Sequence, residues 1–157
     1  MKVITGPMGS SKTSTLLKEI LWARNGLNQS VRVFKPSIDT RSESELVSHD
    51  GLRSSAESVR ELPDAYDADL IVLDEVQFVP MSCVEWAKDH LDRGINMIVG
   101  GLDMDWRGDA FLVTATFLAM ADIVVKQTSH CAVCGHVSTH TAKLYGSDDS
   151  IEIGGLG

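Results

Sequence analysis

The chain has 157 residues, of which 43% are hydrophobic, and its 22 acidic and 14 basic side chains give a net charge of −8. This length accommodates one domain with a buried core and at most a small appendage. The negative charge argues against a nucleic acid polymer as partner, and no apolar run reaches the roughly 20 residues that cross a bilayer, so we expect a cytoplasmic protein without a membrane partner.

The first informative segment in chain order lies between a predicted strand, Lys2–Thr5, and a helical pattern. Its residues are Gly6, Pro7, Met8, Gly9, Ser10, Ser11, Lys12 and Thr13. They match the phosphate-binding pattern G-x-x-x-x-G-K-[ST], except that Ser11 replaces the second glycine. In this pattern backbone N–H groups surround the phosphates, the lysine reaches the β- and γ-oxygens, and the hydroxyl coordinates Mg²⁺. The alternative is an ordinary strand–turn–helix junction, but the Lys-Thr pair at a helix start favours a phosphate cradle.

The remaining pattern alternates between strands and helices. The predicted elements are a helix over 11–24, a strand over 31–35, a long polar loop over 37–55, a buried strand over 70–73, a helix over 82–94 with a capping box at Ser82 and Glu85, a strand over 96–100, a helix over 111–121 and a strand over 123–125. This order predicts an α/β fold, a parallel sheet flanked by helices, over residues 1–127. Residues 128–157 change to Cys, His, Thr, Gly and Asp and are predicted to form a small C-terminal appendage.

Two acidic residues, Asp74 and Glu75, follow the buried strand over 70–73. An aspartate at the end of a strand beside the cradle would hold Mg²⁺ together with Thr13, although such acids also cap helices or face solvent. Glu75 is the candidate base for a hydroxyl that attacks the γ-phosphate, and the alternative role is an indirect partner of Mg²⁺. Lys12 and Arg41 are candidates to offset charge on the transferred group.

Several motifs in order resemble the type II thymidine kinases over nearly the whole chain. They are Gly6-Pro7-Met8, Phe34-Lys35-Pro36 with Asp39-Thr40-Arg41, Ser48-His49-Asp50-Gly51, Asp74-Glu75-Val76-Gln77-Phe78, Gly101-Leu102-Asp103-Met104-Asp105-Trp106-Arg107-Gly108 and Cys131-x-x-Cys134-Gly135. The resemblance implies transfer of the ATP γ-phosphate to the 5′-hydroxyl of thymidine, with Mg²⁺, by a homotetramer that carries a small zinc-bearing lasso domain.

The resemblance also assigns roles to individual residues. Glu75 matches the catalytic base, and Asp74 and Gln77 lie in the second nucleotide-contacting segment. The positions that match the nucleoside pocket are Met8, Phe78, Leu102, Trp106, Phe111 and Thr141. Without the resemblance, Phe78 and Phe111 would be assigned to the core. Trp106 stands where the family usually has Phe, so its larger ring and indole N–H would alter the fit of the substrate.

The zinc site implied by the resemblance needs four nitrogen or sulfur ligands, of which Cys131 and Cys134 supply two. The second pair found in the family is missing from the 157 residues, and the substitutes are His130, His136 and His140. Either the sequence is truncated, or this version closes its substrate lid without full metal support.

Three functions therefore stand at this point. The leading one is a thymidine kinase that uses Mg·ATP. The second is a nucleotide-binding but catalytically weak remnant of the family, motivated by Ser11 and the missing end of the lasso. The third is a P-loop kinase with a different nucleoside acceptor.

Overall fold

The computed structural model describes residues 1–37, 45–48 and 50–143. Its strands are β1 (Lys2–Thr5), β2 (Val31–Pro36), β3 (Glu45–Val47), β4 (Arg53–Ser55), β5 (Glu57–Val59), β6 (Leu70–Leu73), β7 (Asn96–Gly101), β8 (Ile123–Lys126), β9 (Ser129–His130) and β10 (Val137–Ser138). Its α-helices are α1 (Lys12–Leu21), α2 (Ser82–Asp92) and α3 (Leu112–Met120). No helix within the described ranges is both long enough and apolar enough to span a membrane.

The central sheet has six parallel strands in the order β5-β2-β6-β7-β1-β8. Parallel strands require crossover connections, and those connections cover both faces of the sheet. The predicted α/β fold is confirmed. All six strands end at the same edge, so the segments that follow the adjacent strands β6, β7 and β1 are brought together there.

The core has two layers because side chains of neighbouring residues in a strand point to opposite faces. Ile4, Val72 and Ile98 pack with the buried face of α1, whereas Val3, Ile71 and Met97 pack with the buried residues of α2 and α3. Strand β6 is buried throughout, as its continuous apolar run predicts. The sheet is therefore a rigid platform between helices, and its carboxyl edge carries the loops described below.

The polar segment predicted to be one long loop over 37–55 contains regular structure. Strands β3 and β4 form an antiparallel hairpin, with Leu46 opposite Ser54, and β5 follows as an edge strand of the main sheet. The prediction was wrong because each strand has only three residues, too few for a visible period. Leu46 is the buried apolar anchor of the hairpin and packs in the layer of α1. Arg41 lies outside the described residues.

The capping box predicted at Ser82 is also wrong. Met81 is the N-cap, no side chain caps the helix, and Ser82 already lies inside it. The N–H groups of Cys83 and Val84 instead donate to the carbonyl oxygens of Pro80 and Met81, both at 3.0 Å, so the helix starts from a tight turn. The first helix differs from its predicted range, 11–24, at its C-terminal end. The α-helix α1 ends at Leu21, and the chain continues as a π-helical turn over Trp22–Gly26.

After β8 the chain forms a separate two-stranded sheet of β9 and β10. Val137 lies opposite His130, and the turn between the strands carries both Cys131 and Cys134. The chain returns from this hairpin to the main domain, where the backbone N–H of Met8 donates to Oγ1 of Thr141 at 3.0 Å. The boundary at 127/128 stays a prediction.

Candidate active site at the carboxyl edge of the sheet

The loop after β1 turns sharply into α1. Gly6 has φ 145°, and a Cβ there would collide with the carbonyl oxygen of Gln127, so only glycine fits. Ser11 lies in the left-handed region with φ 63° and ψ 29° and precedes the first residue of α1. A glycine would adopt this conformation without cost, which explains why the pattern has glycine at this position. Ser11 therefore makes the turn that the glycine normally makes.

Lys12 is buried beneath this loop, with 9% of its surface exposed. Its ammonium Nζ donates to the carbonyl oxygens of Gly6 at 3.1 Å and Pro7 at 2.8 Å. Burial lowers the pKa of Lys12, while the carboxylates of Glu75, Asp74 and Asp103 act in the opposite direction. The ammonium group of Lys12 is thus held at the point where the loop meets the acidic side chains.

Asp74 follows β6 and is almost fully buried. Its Oδ1 accepts the N–H of Glu75 at 2.9 Å, and its Oδ2 accepts the hydroxyl of Thr13 at 3.4 Å. Burial, followed by the neighbouring Glu75 charge, raises the pKa of Asp74 to about 7.

A carboxylate and a hydroxyl oxygen side by side are hard ligands of the type that Mg²⁺ prefers. No group of three or more His, Cys, Asp or Glu within the described ranges would enclose a metal ion. Mg²⁺ usually takes one or two protein oxygens and completes its coordination with phosphate and water, so Thr13 and Asp74 fit this donor set.

Glu75 occupies an uncommon backbone conformation at the same edge. Its φ is 53° and its ψ is 42°, which places a non-glycine residue in the left-handed region. Such conformations cost free energy and cluster at functional sites. The side chain is half-buried, and its Oε2 accepts a hydrogen bond from the amide Nε2 of Gln77. The carboxylate is therefore oriented beside the predicted metal ligands.

The residues predicted to line a nucleoside pocket lie around this edge. Phe78, Leu102 and Met8 follow the adjacent strands β6, β7 and β1, and Phe111 is the N-cap of α3. All of them, together with Trp106 and Thr141, are half-buried. The structure brings Met8 and Thr141 into direct contact through the hydrogen bond described above. Lys143 also lies over the ring of Trp106, with Nζ 5.3 Å from the ring centroid, so the C-terminal segment reaches this loop as well.

The loop over 102–111 contains positioning residues to which sequence reasoning gave no role. The buried carboxylate of Asp105 accepts the N–H groups of Arg107 at 2.8 Å and Asp109 at 3.0 Å, which closes the turn that carries Trp106. Asp103 forms an ion pair with Lys126 at 2.8 Å, tying the loop to the end of β8. The available signal was that Asp103 follows a buried strand, as Asp74 does.

The predicted zinc ligands do not converge into a closed site in the described part of the chain. The N–H of Cys131 donates to His136 O and the N–H of Gly135 to Cys131 O, both at 2.8 Å, which forms a tight turn. Backbone N–H groups of Cys134 and Val133 lower the pKa of the Cys131 thiol. His130 Nδ1 lies 3.2 Å from the carbonyl oxygen of Gly135. Two thiols make half of a structural zinc site, and no further ligand joins them among the described residues.

The sequence matches known proteins along most of its length. The model of the family described as "Thymidine kinase" matches residues 1–156. The thymidine kinase of Thermococcus kodakarensis is 39% identical over 158 residues, which cover 92% of this chain and 78% of the relative. Those of Bdellovibrio bacteriovorus and Coprothermobacter proteolyticus are 32% identical (98% of this chain, 78% of the relative) and 35% identical (99% and 84%).

Proposed function

Because this chain belongs to the thymidine kinase family, we propose that it transfers the γ-phosphate of ATP to the 5′-hydroxyl of thymidine, giving thymidine monophosphate and ADP. The observation that carries the proposal is the position of Glu75 at the end of β6, where its backbone N–H donates to Asp74 and its carboxylate accepts a hydrogen bond from Gln77. Phosphate-binding, metal-binding and proton-accepting groups thus occupy one edge of the sheet.

The donor side is formed by the loop over 6–13 and by Asp74. Lys12 gives up its hydrogen bonds to the carbonyl oxygens of Gly6 and Pro7 and binds β- and γ-phosphate oxygens instead. Thr13 and Asp74 provide oxygen ligands for Mg²⁺. Mg²⁺ held by these oxygens would neutralise negative charge that develops on the phosphates during transfer.

The acceptor side is formed by the predicted nucleoside residues. The six side chains are half-buried around the carboxyl edge, so part of each surface is open to contact the base and the sugar of a nucleoside. They belong to Met8, Phe78, Leu102, Trp106, Phe111 and Thr141. Glu75 accepts the proton of the 5′-hydroxyl while the hydroxyl oxygen forms its bond to the γ-phosphorus and the bond to ADP breaks. Trp106 stands where the family usually has Phe, and its larger ring offers a larger stacking face to the base of the nucleoside.

The first test is the substitution Glu75→Gln, which keeps shape and removes the base. We expect kcat for thymidine to fall by about 10²- to 10⁴-fold because general-base catalysis contributes on that order. ATP affinity, measured by equilibrium binding, should stay close to that of the wild type. The matched control is Glu85→Gln on the exposed face of α2, where Glu85 forms an ion pair with Lys88. Wild-type turnover in the Glu75→Gln variant would remove Glu75 from the mechanism.

A second candidate function is a nucleotide-binding protein with little catalysis, and the left-handed Ser11 favours it. Wild-type protein that binds ATP but phosphorylates no nucleoside would support this candidate. Measuring the phosphorylation of a panel of nucleosides distinguishes thymidine from any other acceptor.

By resemblance we further propose a cytoplasmic homotetramer, with residues 1–127 as the kinase domain and 128–157 as part of the lasso. Zinc enters no step of this proposal, since the described residues supply two ligands only.

A further inference from the structure

Gln77 connects the proposed base to the proposed nucleoside loop. It lies in the short 3₁₀ turn Val76–Phe78 and has 6% of its surface exposed. Its Nε2 donates to Oε2 of Glu75, and its Oε1 accepts the backbone N–H of Leu102 at 3.0 Å. One buried amide therefore contacts both the carboxylate that follows β6 and the first residue that follows β7.

The orientation of this amide is fixed by its partners. A backbone N–H only donates and an ionised carboxylate only accepts, so the amide satisfies both with its oxygen toward Leu102 and its nitrogen toward Glu75. Reversing the amide would place two donors against each other and two acceptors against each other.

The end of β7 is shaped to admit the amide. A Cβ on Gly101 would lie 2.8 Å from Oε1 of Gln77 and 2.8 Å from Cγ2 of Val76, both closer than real contacts allow. The carbonyl oxygen of Gly101 accepts the hydroxyl of Thr5 at 2.9 Å, which ties the same strand end to β1. The strand end that Gln77 contacts is thus itself fixed to the neighbouring strand β1.

We infer that Gln77 is a positioning residue that holds the Glu75 carboxylate in fixed relation to the nucleoside loop, so that base and acceptor hydroxyl are aligned. This inference rests on the proposed function. The amide donates to the Glu75 carboxylate and fixes the start of the loop that carries Trp106. Sequence resemblance placed Gln77 among the nucleotide-contacting residues. Its observed contacts are instead to Glu75, the proposed catalytic base, and to Leu102 in the nucleoside loop.

The test uses two substitutions of Gln77 in the full chain. Gln77→Met keeps the length and removes both hydrogen bonds, and we expect kcat to fall about tenfold or more, with ATP affinity within about twofold of wild type. Gln29→Met is the matched control, since Gln29 is a half-buried glutamine in the turn before β2, away from the carboxyl edge. Thermal unfolding of each variant measures whether the fold is kept.

Gln77→Glu gives a readout that a purely structural role would not produce. A protonated carboxylic acid at this position keeps one donor for Glu75 and one acceptor for Leu102, whereas an ionised one repels Glu75. We therefore expect the ratio of variant to wild-type kcat to fall as pH rises from about 6 to about 9.

The outcomes separate this inference from the function on which it rests. Inactive wild-type protein would overturn the proposed function itself. With active wild type, kcat of Gln77→Met within about twofold of normal, or a pH-independent ratio for Gln77→Glu, would overturn the positioning role. A parallel loss of ATP binding in both variants would place Gln77 on the donor side instead and would also overturn it.

Discussion

At the scale of single residues, backbone conformation marks the site. Three described non-glycine residues have positive φ, namely Ser11, Asn28 and Glu75. Asn28 lies in a surface turn, where asparagine tolerates this region well. Ser11 and Glu75 lie instead at the phosphate loop and at the proposed base. Both residues adopt backbone conformations that a side chain disfavours, as residues at functional sites often do.

Ser11→Gly tests the cost at the phosphate loop. Removing the side chain relieves up to about 1–2 kcal/mol of left-handed strain, and the greater freedom of glycine in the unfolded chain offsets part of this gain. We expect ATP affinity to be preserved or improved, as measured by calorimetric titration. Asn28→Gly is the control, since it relieves a similar conformation beyond the opposite end of α1 from the phosphate loop. A marked loss of ATP affinity in Ser11→Gly alone would show that the serine is adapted to its position.

At the scale of elements, α2 is joined to the preceding segment by a buried imidazole. Nε2 of His90 accepts the N–H of Ala65 at 3.2 Å, so its proton lies on Nδ1, which donates to Trp86 O at 2.8 Å. The ring lies between Tyr66 and Trp86, with centroid distances of 4.6 and 4.0 Å. One helix is therefore fastened to the chain before β6 by hydrogen bonds and ring stacking together.

His90→Leu should lower the free energy of unfolding by about 1–3 kcal/mol because it leaves the buried N–H of Ala65 unpaired. Urea unfolding followed by circular dichroism measures this change. Tyr66→Phe serves as the comparison: it keeps the stacked ring and loses only the exposed hydrogen bond to Asp89, so its effect should stay below about 1 kcal/mol. Equal effects for the two variants would contradict the role of the buried hydrogen bonds.

Element boundaries show where local sequence signals are sufficient. Strand β6 has an unbroken apolar run, and burial on both faces leaves no other arrangement for it. The hairpin of β3 and β4 was missed because its register depends on Leu46 reaching the core beneath α1, a contact between distant segments. The capping box at Ser82 failed because the turn from Pro80 started the helix one step earlier.

At the scale of the whole molecule, one buried carboxylate links stability to pH. Asp74 has its pKa raised to about 7 by burial and by Glu75, against 3.8 in the unfolded chain. Between these values the folded protein binds more protons than the unfolded one, so stability falls as pH rises through this window and levels off above it. The carboxylate that suits Mg²⁺ is thus a destabilising group in metal-free protein near neutral pH.

Asp74→Asn should remove this pH dependence. In metal-free protein we expect the wild-type unfolding free energy to drop by about 1 kcal/mol or more between pH 4 and 7, since one pKa unit corresponds to about 1.4 kcal/mol. The variant should be flatter over the same range and should bind Mg·ATP more weakly. Chemical denaturation at a series of pH values measures the difference, and identical slopes would assign the effect to other groups.

The sequence by itself determined the order of five of the six main-sheet strands and of the three α-helices, the phosphate loop and the acidic residues after β6, because these depend on periodicity and on neighbours along the chain. It also identified the family, since several motifs occur in a matching order. Tertiary structure alone decided which groups meet. Gln77 contacts Leu102, Asp103 pairs with Lys126, and Met8 contacts Thr141, each across a wide separation in sequence. These contacts arise because parallel strands bring their carboxyl ends to one edge, and no local pattern specifies which side chains touch there.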